Sequence, residues 1–374
     1  MTVPQGDLRS AAPRRWLRTV RTTVGLALFI AATGSYAQPL AQPQARCSPQ
    51  GVGLDSECLA NGVMLHYVDW GGHGDNLVLL AGLDDSARIY DELGPMLARH
   101  HHVIAITRRG FGRSAIPPEG YDAATLALDL RELMKALGIK TADLVGHSIS
   151  GLELTRVAVS NPESVRRLVY LDAATDKSPI VGVLEKDPLG NRAPPRRALT
   201  DFPSLIVWTR GLLKSHSPAI ASNLRQCYED RQGLLVSRTP PAVDAAVAAS
   251  MFADHPNYSA IRAPALAIYS DYSNADQVPP GTTASTHVAA DVFAREVFRP
   301  WQQLEEARFR YEIACGSVLE LKHTGHYLFL ERPRETAGWI DSFLSSNSPC
   351  AWTPHAASTT RPQALGLGMA KRPD

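Results

Sequence analysis

Short apolar segments alternate with longer amphipathic segments from residue 63 onward. In the longer segments apolar residues recur at helical spacing, as at Leu126, Leu130 and Leu133. The short segments have the length of buried strands, and they lie at residues 63–70, 77–80, 103–106, 143–145 and 168–171. This alternation predicts a mostly parallel central sheet with helices on both faces.

The link between the first two strand segments covers residues 71–76 and contains three glycines. It is too short for a crossover helix, so we expect residues 63–70 and 77–80 to pair as an antiparallel hairpin. The later links at residues 91–99 and 121–137 are long enough for crossover helices.

The alternation stops at residues 173–261, where prolines interrupt short helical patterns, and an inserted helical cap is expected there. It resumes with strand patterns at residues 264–270 and 317–321 and ends with a helical pattern at residues 333–344. The prediction is a core of residues 63–172 and 262–344, preceded by an extension at 38–62. The tail at 345–374 is rich in Ser, Thr, Pro and Ala and is expected to be disordered.

The first 37 residues have the pattern of a signal peptide. Five arginines precede an apolar run at residues 24–32, and Ser35 and Ala37 then offer small residues for cleavage after Ala37. The run is shorter than the roughly 20 residues that cross a bilayer, so we expect no permanent membrane span. Export to the periplasm or secretion is therefore predicted.

Export affects how the five cysteines are interpreted, because thiols outside the cytoplasm tend to oxidise. Cys47 and Cys58 could close a short disulfide loop. The other three have no C-x-x-C spacing, so neither a zinc site nor a redox motif is indicated. The net charge of +1 gives no field that favours nucleic acid as a partner.

One serine has the sequence context of a catalytic nucleophile. The strand pattern 143–145 runs into Gly146-His147-Ser148-Ile149-Ser150-Gly151 and then into a helical pattern. A nucleophile elbow needs this strand, sharp turn and helix, with small residues two positions before and after the nucleophile. Gly146 and Ser150 meet that need, although Gly is more usual than Ser at the second position. A serine that simply caps the helix is the alternative interpretation.

These residues, together with Arg109-Gly110-Phe111-Gly112-Arg113-Ser114 and Gly325-His326, resemble the α/β-hydrolase family in its lipase- and esterase-like branch with a helical cap. The resemblance runs from about residue 63 to residue 344. It implies an α/β-hydrolase fold in which Ser148 is the nucleophile and His326 is the base.

The resemblance also implies an acid between Ser148 and His326 in chain order. Asp276 is the expected acid, and Asp172 and Asp271 are the alternatives. The backbone N–H groups of Leu83 and Ile149 are the expected oxyanion hole. Asp84 and Asp85, which follow Leu83, are expected to face solvent.

Two other histidines could be mistaken for the base. His323 lies three residues before His326 and is expected to be a solvated loop residue. His147 lies next to the nucleophile, and its side chain is expected to point away from the attacking face.

The expected activity is cleavage of a small-molecule carboxylic ester through an acyl-enzyme on Ser148, without a metal or organic cofactor. Peptidase, lactonase, thioesterase and carbon–carbon bond hydrolase activities are alternatives, as is a non-catalytic binding protein that retains the fold. Reactions that need an aspartate in the elbow, as in haloalkane dehalogenases and epoxide hydrolases, are disfavoured because Ser148 occupies that position. The sequence carries no indication of oligomeric state.

Overall fold

The structure is a computed structural model, and it describes residues 47–179, 182–183, 186–190, 192–271 and 278–354. The predicted signal peptide, Asp276 and the tail beyond residue 354 lie outside the described residues. Within these ranges no helix is long and apolar enough to cross a bilayer.

A nine-stranded sheet forms the centre of the described residues, with strand order β1-β2-β3-β5-β4-β6-β7-β10-β11. Its strands are β1 Cys47–Ser48, β2 Asp55–Ala60, β3 Val63–Gly71, β4 Asn76–Leu80, β5 His102–Ile106, β6 Ala142–His147, β7 Val165–Leu171, β10 Ala265–Ser270 and β11 Gly316–Leu321. The pairs from β5 to β11 are parallel, and the pairs that involve β1, β2 and β3 are antiparallel. The prediction of a mostly parallel sheet is therefore confirmed.

The predicted hairpin between residues 63–70 and 77–80 is wrong. β3 pairs with β5, and β4 lies between β5 and β6. Gly72 and Gly74 in the link have φ angles of 98° and 110°, and a Cβ at Gly72 would collide with the carbonyl oxygens of Ala98 and His101. The link thus lies directly against the backbone that leads into β5.

Helices cover both faces of the sheet, as predicted. α2 Ala123–Ala136, α3 Ser150–Ser160 and α8 Arg299–Glu312 contribute to one hydrophobic cluster, and α1 Leu93–Leu97 and α10 Pro333–Leu344 contribute to the other. β4 supplies both clusters by alternation, because Val78 and Leu80 belong to the first and Leu77 and Leu79 to the second. The core therefore consists of two apolar layers separated by the sheet.

The insertion between β7 and β10, where we expected a helical cap, contains helices and a pair of short strands. The elements are α4 Phe202–Leu213, α5 Pro218–Cys227, β8 Tyr228–Asp230, β9 Leu235–Ser237 and α6 Pro241–Ala253. Leu205 of α4 and Ile220 of α5 are buried in the same cluster as α1 and α10. After β10 follow α7 Ala284–Phe293, a π-helical turn Ala294–Phe298 and, after β11, the short α9 Leu328–Glu331.

Two disulfides hold the ends of the described chain. The disulfide between Cys47 and Cys58, which the sequence allowed, joins β1 to β2. A second disulfide, between Cys315 and Cys350, was not predicted. Residues 345–354 belong to the tail that was expected to be disordered, but here the indole of Trp352 packs on Trp339 and Phe343 of α10. That packing and the disulfide explain why residues 345–354 are ordered.

Candidate active site

Ser148 lies in a strained turn between β6 and α3. Its φ angle is 58°, in the left-handed region that non-glycine residues rarely adopt. Its backbone N–H donates to the carbonyl oxygen of Leu171, the last residue of β7, at 3.2 Å. The turn therefore places Ser148 at the carboxyl edge of the sheet, beside the end of the neighbouring strand.

The two small residues around Ser148 are fitted to each other. A Cβ at Gly146 would lie 2.9 Å from the hydroxyl of Ser150 and 2.8 Å from Cδ1 of Leu154, so a larger residue at 146 has no room. The Ser150 hydroxyl is buried, and its single proton is shared between the carbonyl oxygens of His147 at 2.6 Å and Leu80 at 3.0 Å. Serine is thus tolerated in the place of the more usual glycine, and it ties the elbow to the end of β4.

Gly151 allows α3 to approach the chain just beyond β7. A Cβ at this position would collide with the carbonyl oxygen of Ala173. Close contact between the first turn of α3 and residue 173 holds the segment around Asp172 against the elbow.

His326 is bound to a carboxylate at the same sheet edge. Its Nδ1 lies 2.6 Å from Oδ2 of Asp172, whose side chain is buried. Asp172 directly follows β7 with a φ angle of 48°, its N–H donates to Ile268 O at 2.8 Å, and its Oδ1 accepts from the N–H of Ser270 at 3.3 Å. The carboxylate is thereby fixed by β10 and oriented toward the imidazole.

The three candidate acids have different positions. Asp276 lies outside the described residues. Asp271 accepts the backbone N–H of His323 at 2.9 Å, and His323 itself is an exposed loop residue. Asp172, the alternative at the end of β7, contacts His326.

His147 packs beneath His326 as a buried neutral ring. The ring centroids are 4.5 Å apart, and burial first, then the charge of His326, holds the pKa of His147 well below its usual value. His147 Nε2 lies 3.0 Å from the carbonyl oxygen of His326, which can only accept, so Nε2 carries the proton. His147 thus supports the loop that presents His326.

The two predicted oxyanion donors have free backbone N–H groups. Neither the Leu83 nor the Ile149 N–H has a hydrogen-bond acceptor within the described part of the chain. Their side chains share one apolar cluster with Phe111 and with Val243 and Val247 of α6. Unused donors at the ends of β4 and β6, beside Ser148, are the type of group that stabilises an oxyanion.

The expectation that Asp85 faces solvent is wrong. Its side chain is 4% exposed, and it accepts from Asn223 Nδ2 of α5 at 2.7 Å and from the Tyr327 hydroxyl at 3.1 Å. Burial raises the pKa of Asp85 to about 7 despite these hydrogen bonds. Asp85 therefore joins the Leu83 loop, the insertion and the His326 loop. The residues next to Asp85 in the sequence do not indicate this role, because its partners Asn223 and Tyr327 are distant in the chain.

Asp84 is solvent-accessible but faces a second carboxyl group. Its carboxyl group interacts with that of Asp244 of α6. Desolvation of the two carboxyl groups raises the pKa of both, that of Asp244 to about 7 with a contribution from the Asp84 charge. The charge of one carboxylate opposes ionisation of the other. Among the described residues no group of three or more His, Cys, Asp or Glu side chains is arranged to hold a metal ion.

Fold and site together define a hydrolase-type architecture, with a serine elbow and a His–Asp pair at the same edge of the sheet. A sequence profile of the Alpha/beta hydrolase family matches residues 77–339, and the chain belongs to that family.

Curated relatives match over part of their length. The soluble epoxide hydrolase of Corynebacterium sp. is 38% identical over 116 residues, which are 31% of this chain and 40% of that protein. The N-formylmaleamate deformylase of Pseudomonas putida is 29% identical over 150 residues, which are 40% of this chain and 49% of that protein. The chain thus matches less than half the length of either relative.

Among solved structures, the E-2-(acetamidomethylene)succinate hydrolase is similar with a TM-score of 0.60 and 20% sequence identity. The match covers 78% of this chain and 99% of that chain. At this level of identity the likeness establishes the fold.

Proposed function

We propose that this protein is a serine hydrolase that cleaves a carboxylic ester through an acyl-enzyme on Ser148. The observation that carries the proposal is the contact of 2.6 Å between His326 Nδ1 and Asp172 Oδ2. It lies at the sheet edge where Ser148 is held at a φ of 58°.

Acylation begins with attack of the Ser148 Oγ on the ester carbonyl carbon. The hydroxyl proton passes to Nε2 of His326, and the Asp172 carboxylate holds the imidazole in the correct tautomer and stabilises its protonated form. The carbonyl oxygen becomes an oxyanion, which accepts hydrogen bonds from the N–H groups of Leu83 and Ile149. When the C–O bond breaks, His326 returns the proton to the departing alkoxide, and the alcohol leaves.

Deacylation repeats these steps with water. His326 takes a proton from the water as its oxygen attacks the acyl carbon, and the second oxyanion forms in the same place. Collapse of this intermediate breaks the bond to Ser148 Oγ, which recovers its proton from His326, and the carboxylic acid is released. All of the protons are thus transferred through one imidazole.

The name of the epoxide hydrolase relative points to a different reaction, the opening of an epoxide ring. Epoxide opening on this fold requires an aspartate in the elbow, whereas this chain has Ser148 there. Cleavage of an amide, to which the name of the deformylase relative points, uses the same serine chemistry as cleavage of an ester. Substrate tests must therefore compare esters with amides.

A fluorophosphonate probe tests the nucleophile directly. We expect stoichiometric labelling of the purified protein, no labelling of Ser148→Ala and weak labelling of His326→Ala. Ser160→Ala, at the exposed end of the helix α3 that follows Ser148, is the matched control and should label like the unmodified protein. Absence of labelling in the folded protein would support a non-catalytic binding protein.

A second assay identifies the type of bond that is cleaved. A chain-length series of p-nitrophenyl esters is compared with an amino-acid p-nitroanilide at equal concentration. The proposal expects turnover of esters that is lost in Ser148→Ala. Turnover of the anilide alone would indicate that the protein is a peptidase and not an esterase.

Export is part of the proposal. The two disulfides support it, because disulfides persist in oxidising compartments. Mass analysis of the protein recovered from the periplasm or medium should give an N-terminus at Gln38. An intact N-terminus would instead indicate a membrane-anchored form.

A further inference from the structure

A cleft of about 710 Å³ lies between residues 112–116 of the core and the segment that runs from the end of α5 through β8 and β9. Four arginines line it: Arg113 from the core, and Arg225, Arg231 and Arg238 from the insertion. Ser148, Asp172 and His326 do not line it. The cleft is therefore distinct from the candidate active site.

The positive charge of the cleft is only partly compensated. Glu229 is the one carboxylate in its lining, and it lies 2.6 Å from Arg231 and 3.0 Å from Arg238. Arg113 reaches Glu57 at 3.4 Å and Asp55 at 3.5 Å. Three carboxylates thus contact three of the four guanidinium groups, and of these carboxylates Glu229 alone lines the cleft.

Two of the arginines keep donors available. Arg225 makes no ion pair among the described residues, and its guanidinium lies 5.1 Å from the centre of the Phe202 ring. Arg238 pairs with Glu229 through Nη1 while its Nε is buried without a partner in the described part of the chain. Arg225 is exposed, so its guanidinium donors are accessible to a ligand, and the buried Nε of Arg238 lacks an acceptor in the described part of the chain.

We propose that this cleft binds a phosphate-bearing molecule at a second site, separate from the hydrolase chemistry. The planar guanidinium fork matches the oxygens of phosphate, and both walls of this cleft carry such forks, Arg113 on the core side and the other three on the insertion. The volume lies within the roughly 300–1,000 Å³ of small-molecule sites, so more than a bare phosphate fits. Ile116, which is 45% exposed at the cleft, offers an apolar contact to the carbon part of the ligand.

Calorimetry with the full-length protein tests the site. Inorganic phosphate and glycerol 3-phosphate are titrated at constant ionic strength, and vesicles of phosphatidylcholine with or without phosphatidylglycerol are tested by co-sedimentation. Saturable binding of glycerol 3-phosphate indicates a soluble phosphate ester as the ligand. Binding only to the vesicles that contain phosphatidylglycerol indicates a lipid headgroup. Either result supports the phosphate chemistry.

Substitutions locate the binding. The triple variant Arg225→Gln, Arg231→Gln and Arg238→Gln should bind at least about tenfold more weakly, because charge-assisted hydrogen bonds to the anion are lost. Arg231→Gln and Arg295→Gln form a matched pair, since both arginine side chains are 66% exposed and paired with a nearby glutamate. Arg231→Gln should weaken binding and Arg295→Gln should not.

The proposal is overturned if the folded protein binds neither phosphate nor glycerol 3-phosphate and does not prefer the vesicles that contain phosphatidylglycerol. It is also overturned if the triple variant, with an unchanged thermal melt, binds as tightly as the unmodified protein. Equal loss of affinity in Arg231→Gln and Arg295→Gln also overturns the proposal, because it indicates attraction to the general surface charge.

Discussion

At the scale of single residues, the orientation of His326 depends on the carboxylate that holds its Nδ1. Asp172 is bound there at 2.6 Å and is fixed by the N–H of Ser270. Motifs around Ser148 and His326 are local in sequence, and they pointed to both residues. The acid has no such motif, because any aspartate at the end of a strand between them satisfies the chain order, and only the folded sheet brings one of them to the imidazole.

Isosteric substitutions at the candidate acids separate their roles. Asp172→Asn should lower kcat/KM for a p-nitrophenyl ester by roughly 10³- to 10⁴-fold, because the amide cannot stabilise the imidazolium. Asp271→Asn and Asp276→Asn should change it far less, and circular dichroism should be unchanged in all three. A large loss in Asp276→Asn with a small loss in Asp172→Asn would assign the acid to Asp276.

Asp85 gives a pH dependence of stability whose sign follows from its environment. Its pKa rises from 3.8 in the unfolded chain to about 7 in the fold, so between these values the folded state holds a proton that the unfolded state has released. Stability therefore falls as the pH rises through this window, by on the order of a few kcal/mol.

Asp85→Asn should remove this loss while retaining the partners Asn223 and Tyr327. Urea unfolding at pH 5 and at pH 8.5 measures it: the variant should gain stability relative to the unmodified protein on going to the higher pH. An unchanged difference between the two proteins at both pH values would show that Asp85 does not titrate in this range.

At the scale of elements, glycines determine which backbones can approach each other. Gly72 allows the link between β3 and β4 to contact the carbonyl oxygens of Ala98 and His101, and Gly151 allows α3 to contact residue 173. Alternation of apolar residues predicted most of the strands and helices. It could not predict strand order, because pairing depends on what lies between two strands in space, and a short link does not force them to be neighbours.

Two helical glycines should respond oppositely to alanine. Gly151→Ala puts a methyl group against the carbonyl oxygen of Ala173 and should lower the free energy of unfolding by about 2 kcal/mol or more. Gly338→Ala in α10 meets no atom within 4 Å and should raise it by up to about 1 kcal/mol. Urea midpoints measure both changes. Destabilisation by both variants would mean that helix context, and not the Ala173 contact, decides the effect.

At the scale of the whole molecule, two disulfides close loops of different length. The Cys315–Cys350 bond spans 35 residues and joins the residue before β11 to the segment that packs on α10, and the Cys47–Cys58 bond spans 11. Cys227 is buried and unpaired.

Removing the disulfide that closes the longer loop should lower the free energy of unfolding more than removing the disulfide that closes the shorter one. Replacing Cys315 and Cys350 by Ser should lower the free energy of unfolding by about 3–4 kcal/mol, and the same change at Cys47 and Cys58 by about 2–3 kcal/mol, since the longer loop constrains the unfolded chain more. A thiol assay should detect one free thiol, from Cys227, only after unfolding. More than one thiol in the unreduced protein would contradict these pairings.

The α/β alternation, the elbow around Ser148 and the histidine loop could be predicted from the amino-acid sequence, because each depends on residues that are close together in the chain. The order of β3, β4 and β5, the contact of Asp172 with His326, the burial of Asp85 and the arginine cleft became visible in the folded chain alone. These features arise between segments that are distant in sequence, and their energies depend on distances and solvent exclusion that exist only once the sheet and its covering helices have assembled.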